Sequence, residues 1–301
     1  MAFLHFGRSR NSISGHSATG GISKNCWAGN KKGLISSHRI QAAVLSDIGC
    51  VRSKNEDNYI FCRCINEQFH DYSECFDYHL ETSKKYCLAG VFDGMGGLAS
   101  GEIASKTAAE CFRESRERIS DVASKEKADC ILRETFCEAN NRITLLQNKL
   151  GFIGTTGTVL LHYGDEFKVY HLGDSRAYLF RGNALYQITK DQTLSNMKIE
   201  LGIYSSDDPQ VEWDKHILTH FIGKDVAMLN LEMEESEWIP VSHGDQILLC
   251  SDGLYDMCSD NEICCVIRGG KSVQETALNL VSLAKENGGE DNVTCILVKF
   301  S

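Results

Sequence analysis

Apolar residues recur along this chain with two different spacings, and each spacing predicts a different element. Positions three and four apart are apolar over residues 100–119 and 125–148, which predicts two long amphipathic helices. Two Ser-x-x-Glu patterns near the end predict capping boxes. These patterns are Ser259 with Glu262 and Ser272 with Glu275, and each is predicted to begin a helix. Gly288 is predicted to end the second of these two helices.

Shorter apolar runs bounded by turn residues predict strands. They follow one another as hairpins rather than alternating with helices, and Gly182-Asn183 predicts one hairpin turn. This order favours an α+β fold of layered antiparallel sheets flanked by helices over a doubly wound parallel sheet. The predicted strands are 40–45, 58–64, 86–92, 158–162, 168–172, 177–180, 247–250 and 293–298.

Charge divides the chain into an arm and a domain. The first 40 residues hold six Lys and Arg residues and no acid, and they are rich in Ser, Gly and Asn. We therefore expect residues 1–37 to form a flexible basic arm and residues 38–301 to form one domain. The whole chain has a net charge of −10, so its remaining part carries −16 and is a poor nucleic-acid binder. Residues 191–240, which contain both prolines, are predicted to form an irregular flap.

Fourteen cysteines raise the question of metal or redox chemistry, but no two are spaced as Cys-x-x-Cys. We expect reduced thiols in a cytoplasmic protein, with Cys62 and Cys64 as neighbours on one strand. No apolar run is long enough for a membrane span or a secretory signal. No cysteine has an arginine six positions later, which excludes a cysteine-dependent phosphatase. A phosphate-binding loop at 269–272 fails because Cys265 stands where its first glycine is required.

Acidic residues stand at the ends of several predicted strands. Asp93 and Asp252 are each followed by glycine after an apolar run, Asp174 follows another run, and Asp291 precedes one, as does the pair Glu56-Asp57. An Asp in a turn usually bonds its own backbone, but several buried carboxylates together require neutralising cations. Oxygen ligands without a His or Cys set point to Mg²⁺ or Mn²⁺. Asp93 would bridge two ions, and Gly94 would offer its carbonyl because no Cβ blocks the approach.

In their order along residues 40–300, these segments resemble the metal-dependent, type-2C serine/threonine protein phosphatases, bacterial members in particular. The matching stretches are GCVRSKNEDN, VFDGMGG, GTTGTVLL, HLGDSRAYLF, ITKDQT, LLCSDGLYD and GGEDNVTCILV. The resemblance implies a central β-sandwich with outer helical layers, an α-β-β-α arrangement. It also implies hydrolysis of phosphoserine and phosphothreonine in proteins by a binuclear Mg or Mn centre, with a third ion in bacterial members.

The resemblance also implies a role for each matching residue. Asp93 bridges both ions, Gly94 is a carbonyl ligand of the second, and Asp252 and Asp291 hold the first. Glu56 and Asp57 act through bound water or behind the ligands, and Asp174 holds the third ion with Asp252. Arg52 binds the phosphate, for which its planar fork is suited.

Three positions depart from the family pattern. Met95 stands where many eukaryotic members have a histidine proposed as general acid, and Gln192 where a histidine is common. The stretch LTHFIG at 218–223 is also unusual, and we interpret His220 as a surface residue rather than a catalyst.

The implied partners are phosphorylated proteins and a cognate serine/threonine kinase system, with no nucleic acid, no membrane span and a monomeric state. Two alternatives stay open on sequence alone. One is a phosphatase dedicated to a single regulatory protein, such as a sigma-factor regulator, and the other is a catalytically weak phosphatase-like scaffold.

Overall fold

Two antiparallel β-sheets lie face to face in the computed structural model, which describes residues 40–62, 64–67, 74–80, 86–96, 100–224 and 231–301. Every strand pairing in these residues is antiparallel. The strands are β1 Ile40–Asp47, β2 Asp57–Phe61, β3 Cys64–Ile65, β4 Glu74–Leu80, β5 Tyr86–Gly96, β6 Ile153–Thr155, β7 Gly157–Tyr163, β8 Glu166–Leu172, β9 Arg176–Arg181, β10 Ala184–Gln187, β11 Glu234–Glu235, β12 Ile239–Pro240, β13 Gln246–Cys250 and β14 Val293–Phe300.

Helices cover the outer faces of both sheets. Their bounds are α1 Gly101–Asp121, α2 Lys125–Leu150, α3 Leu194–Glu200, α4 Gln210–Asp214, α5 Asp252–Tyr255, α6 Asp260–Gly269 and α7 Val273–Glu286. One sheet has the order β10-β9-β13-β14-β1-β4, and the other runs β11-β8-β7-β5-β2-β3, with β12 on β8 and β6 on β5.

Three apolar clusters hold these layers together. One lies between α1, α2 and the β5–β7 sheet, a second fills the space between the two sheets, and a third packs α6 and α7 on the β13–β14 sheet. Burying apolar area on both faces of each sheet is the main stabilising term for such a sandwich. The expected α-β-β-α sandwich is therefore confirmed.

Most predicted elements are confirmed, because their apolar positions face these clusters. Ser259 makes the full capping box with Glu262, whereas only one of the two predicted bonds forms at Ser272, whose side chain accepts the backbone N–H of Glu275. The hairpin turn is confirmed by positive φ at both Gly182 and Asn183, the pair of angles that a type I′ turn requires.

Two local predictions were wrong. Cys62 has a φ of 54°, so the chain leaves β2 there, and Cys62 and Cys64 do not share a strand. Helix α7, by contrast, stops as expected: it ends at Glu286 with Asn287 as its C-cap, and Gly288 follows with a positive φ of 137° while its N–H donates to the Lys285 carbonyl. The flap is less irregular than predicted, since α3 and α4 form within it; Thr193 caps α3 by accepting the N–H of Asn196.

Some predictions lie partly or wholly outside the described residues. The arm over 1–37 is one of them, and Gly97 of the glycine turn is another. The described cysteines are all free thiols, as expected for reduced cysteine. No helix in the described ranges is both long and apolar enough to cross a membrane.

The sandwich brings the acidic strand ends together at one edge. Asp57 in β2 lies directly opposite Asp93 in β5. Cys250 at the end of β13 pairs with Cys295 in β14, so Asp252 and Asp291 follow and precede neighbouring strands of the other sheet. Residues far apart in the chain therefore converge where the two sheets meet.

Candidate metal centre

A cavity of about 470 Å³ opens at this edge of the sandwich. All but one of the site residues expected from the sequence line it, and the exception, Asp57, lies behind the wall in contact with Ser251. Its lining includes Arg52, Glu56, Asp93, Gly94, Asp174, Asp252 and Asp291.

Two threonines clamp the backbone of Asp93. The Thr156 hydroxyl accepts the Asp93 N–H at 2.9 Å, and the Thr155 hydroxyl donates to the Asp93 carbonyl at 2.8 Å. The Thr156 N–H donates to the same carbonyl at 2.9 Å. The Thr156 hydroxyl also bonds that of Ser175, next to Asp174, at 2.7 Å. The bonds fix where the Asp93 side chain leaves the strand and tie it to the Asp174 turn.

Two of the site carboxylates predicted from the sequence have an oxygen that no described residue satisfies. Oδ1 of Asp57 and Oδ1 of Asp252 are both enclosed by protein and lack a hydrogen-bond partner among the described residues. The other oxygen of Asp57 accepts the Ser251 hydroxyl at 2.7 Å. Burial raises the pKa of each of these two carboxyls to about 7, with neighbouring acids adding to the effect. An enclosed acceptor without a donor is costly, and a cation is one partner that would satisfy it.

Three other acids that line the cavity also have raised pKa values. Burial, and then repulsion by Asp252, raises the pKa of Asp93 well above its ordinary value, and the same two causes act on Asp174. The pKa of Glu56 is also raised, by burial and by nearby Glu102. Like charges held this close resist ionising together. A multivalent cation in the cavity would stabilise the ionised form of these acids, so the cavity is suited to bind one.

Arg52 pairs directly with one of these acids. Its guanidinium donates to Asp291 at 2.5 Å, while half of its side chain stays exposed at the cavity rim. Although burial opposes it, attraction by Asp291 and then by Glu56 raises the pKa of Arg52. One monovalent group offsets only part of the negative charge, so the site still requires cations.

Gly94 has no room for a side chain. A Cβ there would lie 2.3 Å from the Gly101 carbonyl oxygen and 2.5 Å from that of Glu56. The Gly94 N–H donates to the same Glu56 carbonyl at 3.2 Å. This close backbone contact supports the expectation that glycine is needed after Asp93, although the crowding comes from neighbouring backbone rather than from an ion.

The donor set fits hard divalent ions. The predicted ligands are carboxylate oxygens and one backbone carbonyl, the donors that Mg²⁺ and Mn²⁺ prefer. The buried, unsatisfied oxygens and the raised pKa values have one common explanation, which is that this pocket is built around positive charge.

The three departures from the family pattern have clear positions. Met95 lines the cavity, and Gly154 opposite it makes room, because a Cβ there would lie 2.9 Å from the Met95 methyl group. The thioether has no proton to donate. Gln192 exchanges hydrogen bonds with the backbone of Gly173, one residue before Asp174, and so holds that turn.

His220 lies outside the metal cavity, as its interpretation as a non-catalytic residue requires. It faces a separate pocket of about 340 Å³, where its Nε2 contacts Glu232 at 2.7 Å. Its side chain is only 24% exposed, so it is less of a surface residue than expected.

Sequence reasoning missed several residues that complete the site. Asn292 accepts the Glu56 N–H at 2.7 Å and donates to two backbone carbonyls, joining the Arg52–Glu56 loop to Asp291. The sequence pattern that could have identified it is the Glu-Asp-Asn stretch, which had already supplied Asp291. Asp256 also lines the cavity, and a spacing of four from Asp252 on a helix could have indicated it. His216, another lining residue, has no signal because it lies in the flap.

Comparison with known proteins gives concordant results. A family model described as protein phosphatase 2C matches residues 67–295. The chain is 30% identical over 212 residues to the serine/threonine phosphatase stp of Listeria welshimeri, covering 69% of this chain and 82% of the relative. It is 31% identical over 264 residues to the serine/threonine protein phosphatase PstP of Mycobacterium tuberculosis, covering 86% of this chain and 44% of the relative.

Solved structures show the same similarity. The serine/threonine phosphatase of S. agalactiae superposes on this chain with a TM-score of 0.71 at 25% identity. The match covers 86% of this chain and 99% of that one. The catalytic domain of PstP in complex with two manganese ions gives a TM-score of 0.67 at 29% identity, covering 88% and 99%.

Proposed function

Because this chain belongs to the protein phosphatase 2C family, we propose that its acidic cavity is the active site of a metal-dependent serine/threonine protein phosphatase. The relatives named as serine/threonine phosphatases support the reaction, and the structure of a relative with two manganese ions supports the cofactor class. The observation that carries the proposal is the convergence of the acids and Arg52 on one cavity with unsatisfied buried oxygens.

The residues proposed to hold two Mg or Mn ions are those expected from the sequence. Asp93 would contact both ions, Gly94 would offer its carbonyl, and Asp252 and Asp291 would complete the set. Asp174 is proposed for a third ion. Glu56 and Asp57 would support the centre from behind the ligands. When bound, ions of this class lower the pKa of a water and offset charge on a phosphoryl group.

Side chains of the protein itself would bind the phosphate and position Asp93. Arg52, at the rim, would bind two phosphate oxygens through its fork and orient the phosphoryl group. The Thr155 and Thr156 hydroxyls keep Asp93 in place. Met95 cannot give the leaving alkoxide its proton, so that proton must come from solvent or from another group at the cavity.

The test is phosphate release from phosphoserine and phosphothreonine peptides and from an aryl phosphate. We expect turnover with Mn²⁺ or Mg²⁺ and none after chelation, because the acids repel one another without cations. An Asp252→Asn protein serves as the inactive control. Absence of phosphate release from every substrate at saturating metal would contradict the proposal and favour the phosphatase-like scaffold.

We further propose phosphorylated proteins of a serine/threonine kinase system as the substrates. Comparing phosphoproteomes with wild-type and Asp93→Asn protein would identify them. Many sites gaining phosphate would support a broad kinase-opposing role, whereas one site would indicate a phosphatase dedicated to a single regulatory protein.

Residues 38–301 are proposed to be the whole catalytic unit, with residues 1–37 as an arm. Deleting residues 1–36 is expected to change aryl-phosphate turnover by less than about threefold, which is below ~1 kcal/mol of barrier. The acid-free, Ser- and Gly-rich composition of that segment gives it little to contribute to a core. Turnover and thermal unfolding of the purified truncation are the measurements. An inactive or unstable truncation would show that the arm packs on the domain.

A further inference from the structure

Two cysteines lie side by side where β2 ends. The Sγ atoms of Cys62 and Cys87 are 3.9 Å apart, a contact between two reduced thiols. The backbone keeps the two residues together, because the Cys62 N–H donates to the Leu88 carbonyl at 2.8 Å. Asp57 and Asp93 are paired at the other end of the same two strands, so the thiols lie away from the proposed active site.

An unusual backbone angle at Cys62 creates this contact. Side chains alternate between the faces of a strand, so Ile60 packs against the helices whereas Phe61 packs between the sheets. Continued alternation would turn Cys62 toward the helices, away from Cys87, which packs between the sheets. The φ of 54° at Cys62 is left-handed, a region that residues other than glycine seldom adopt. As a result, the Cys62 side chain packs against the inter-sheet cluster, on the same face as Cys87.

The two thiols differ in exposure. Cys87 is completely buried, whereas Cys62 is partly exposed. A hydrogen bond with Cys62, and then burial, raise the pKa of the Cys87 thiol well above its ordinary value. Because the thiolate is the reactive form, an oxidant from solvent would reach and oxidise Cys62 first. An accessible cysteine beside a second thiol that can resolve it is the usual arrangement of a redox-sensitive pair.

We propose that Cys62 and Cys87 form a disulfide when the protein meets a peroxide. Hydrogen peroxide transfers an oxygen to the Cys62 sulfur: the O–O bond breaks, an S–O bond forms, and water leaves. The Cys87 sulfur then attacks the Cys62 sulfur, so that the S–S bond forms and the S–O bond breaks. The hydroxyl leaves with the Cys87 proton as a second water. Two thiols and one peroxide thus give one disulfide and two waters, and the thiols supply the two electrons.

The disulfide would join the ends of a long excursion of the chain. Residues 63–86 lie between the two cysteines and carry β3 in one sheet and β4 in the other. Closing a loop of this length restricts the unfolded chain and so stabilises the folded state. The sulfurs must approach by about 2 Å to reach bonding distance, and rotation of the partly exposed Cys62 side chain gives that movement.

Peptide mapping of the full chain tests this disulfide without relying on catalysis. Reduced protein at low concentration is treated with a small excess of hydrogen peroxide, alkylated and digested with trypsin. Cleavage after Arg63 puts Cys62 and Cys64 in different peptides. We expect the Cys62 peptide joined to the Cys87 peptide, lighter by two hydrogens than the sum of the two, and separated again by dithiothreitol. In Cys87→Ala the Cys62 sulfenic acid has no resolving thiol, so dimedone should trap at least about tenfold more of it than in the wild type.

Thermal unfolding gives a second measure, read as the difference between oxidised protein and the same sample after dithiothreitol. The wild type should gain at least about 4 °C on oxidation, as loop closure predicts. Cys62→Ser should gain nothing. Cys64→Ser is the matched control, since Cys64 is also partly exposed and packs against the same cluster. It should keep both the cross-linked peptide and the gain in unfolding temperature.

Oxidation of the exposed Cys50 and Cys130 while Cys62 and Cys87 remain separate thiols would overturn the proposal. So would a disulfide from Cys62 to Cys64, or an equal gain in unfolding temperature in Cys62→Ser. If the buried Cys87→Ala change prevents folding, the cross-linked peptide in the wild type and its loss in Cys62→Ser still decide the outcome.

Discussion

Replacing Asp93 by asparagine is expected to lower metal-dependent phosphate release by at least about a thousandfold, which is roughly 4 kcal/mol of barrier. The expected role of Asp93 is to contact both ions, and an amide offers one neutral oxygen where the carboxylate offers two charged ones. The Thr155 and Thr156 bonds to the Asp93 backbone do not depend on its side chain, so the chain should fold normally. Turnover of an aryl phosphate over a full Mn²⁺ titration is the measurement.

Thermal unfolding separates a lost centre from a lost fold. Burial raises the pKa of Asp93. At a pH above the ordinary pKa of an aspartate, the folded state therefore still holds a proton that the unfolded state has released. Such a group makes the metal-free protein less stable as pH rises. Asparagine removes this penalty, so the metal-free variant should unfold at the same or a higher temperature at pH 7. It should also gain less stability from Mn²⁺ than the wild type. A variant that keeps a tenth of wild-type turnover would contradict the assignment of Asp93.

Replacing Arg52 by alanine is expected to lower kcat/KM by about thirtyfold, or roughly 2 kcal/mol, with KM raised. This expected loss lies in the lower part of the range for charged hydrogen bonds, because half of the Arg52 side chain is exposed to solvent. In the present structure Arg52 is paired with Asp291 at 2.5 Å. An ion at Asp291 would compete for that carboxylate and leave the guanidinium available to phosphate.

The kinetics should be measured at saturating Mn²⁺, because removing Arg52 also removes a competitor for Asp291 and should lower the Mn²⁺ requirement. Arg52→Lys keeps the charge but not the fork, and it should fall between wild type and alanine. Arg268→Ala is the matched control: this exposed arginine bonds the Asn183 carbonyl and lies outside the cavity lining. Unchanged kcat/KM in Arg52→Ala would contradict its assignment as the phosphate-binding residue.

Much of the fold was determined by local sequence. Spacing of apolar residues defined α1 and α2, because residues such as Phe112 and Phe136 must face the sheet to be buried. Turn chemistry was equally readable, as at Gly182-Asn183, since few residues adopt two consecutive positive φ angles. The acids at strand ends could also be recognised from the sequence, because an apolar run that stops at a carboxylate is itself a local pattern.

The tertiary structure alone decided which of these acids meet and what holds them. Asp57 and Asp93 are opposite each other through strand register, and no local pattern specifies register between strands 36 residues apart. The enclosed, unsatisfied oxygens of Asp57 and Asp252 exist only after packing. His216 is the clearest case: it lies in a segment without periodicity, and only the folding of the flap across the cavity brings it to Asp256. Sequence sets the chemistry available at each position, whereas convergence of distant positions depends on packing across the whole sandwich.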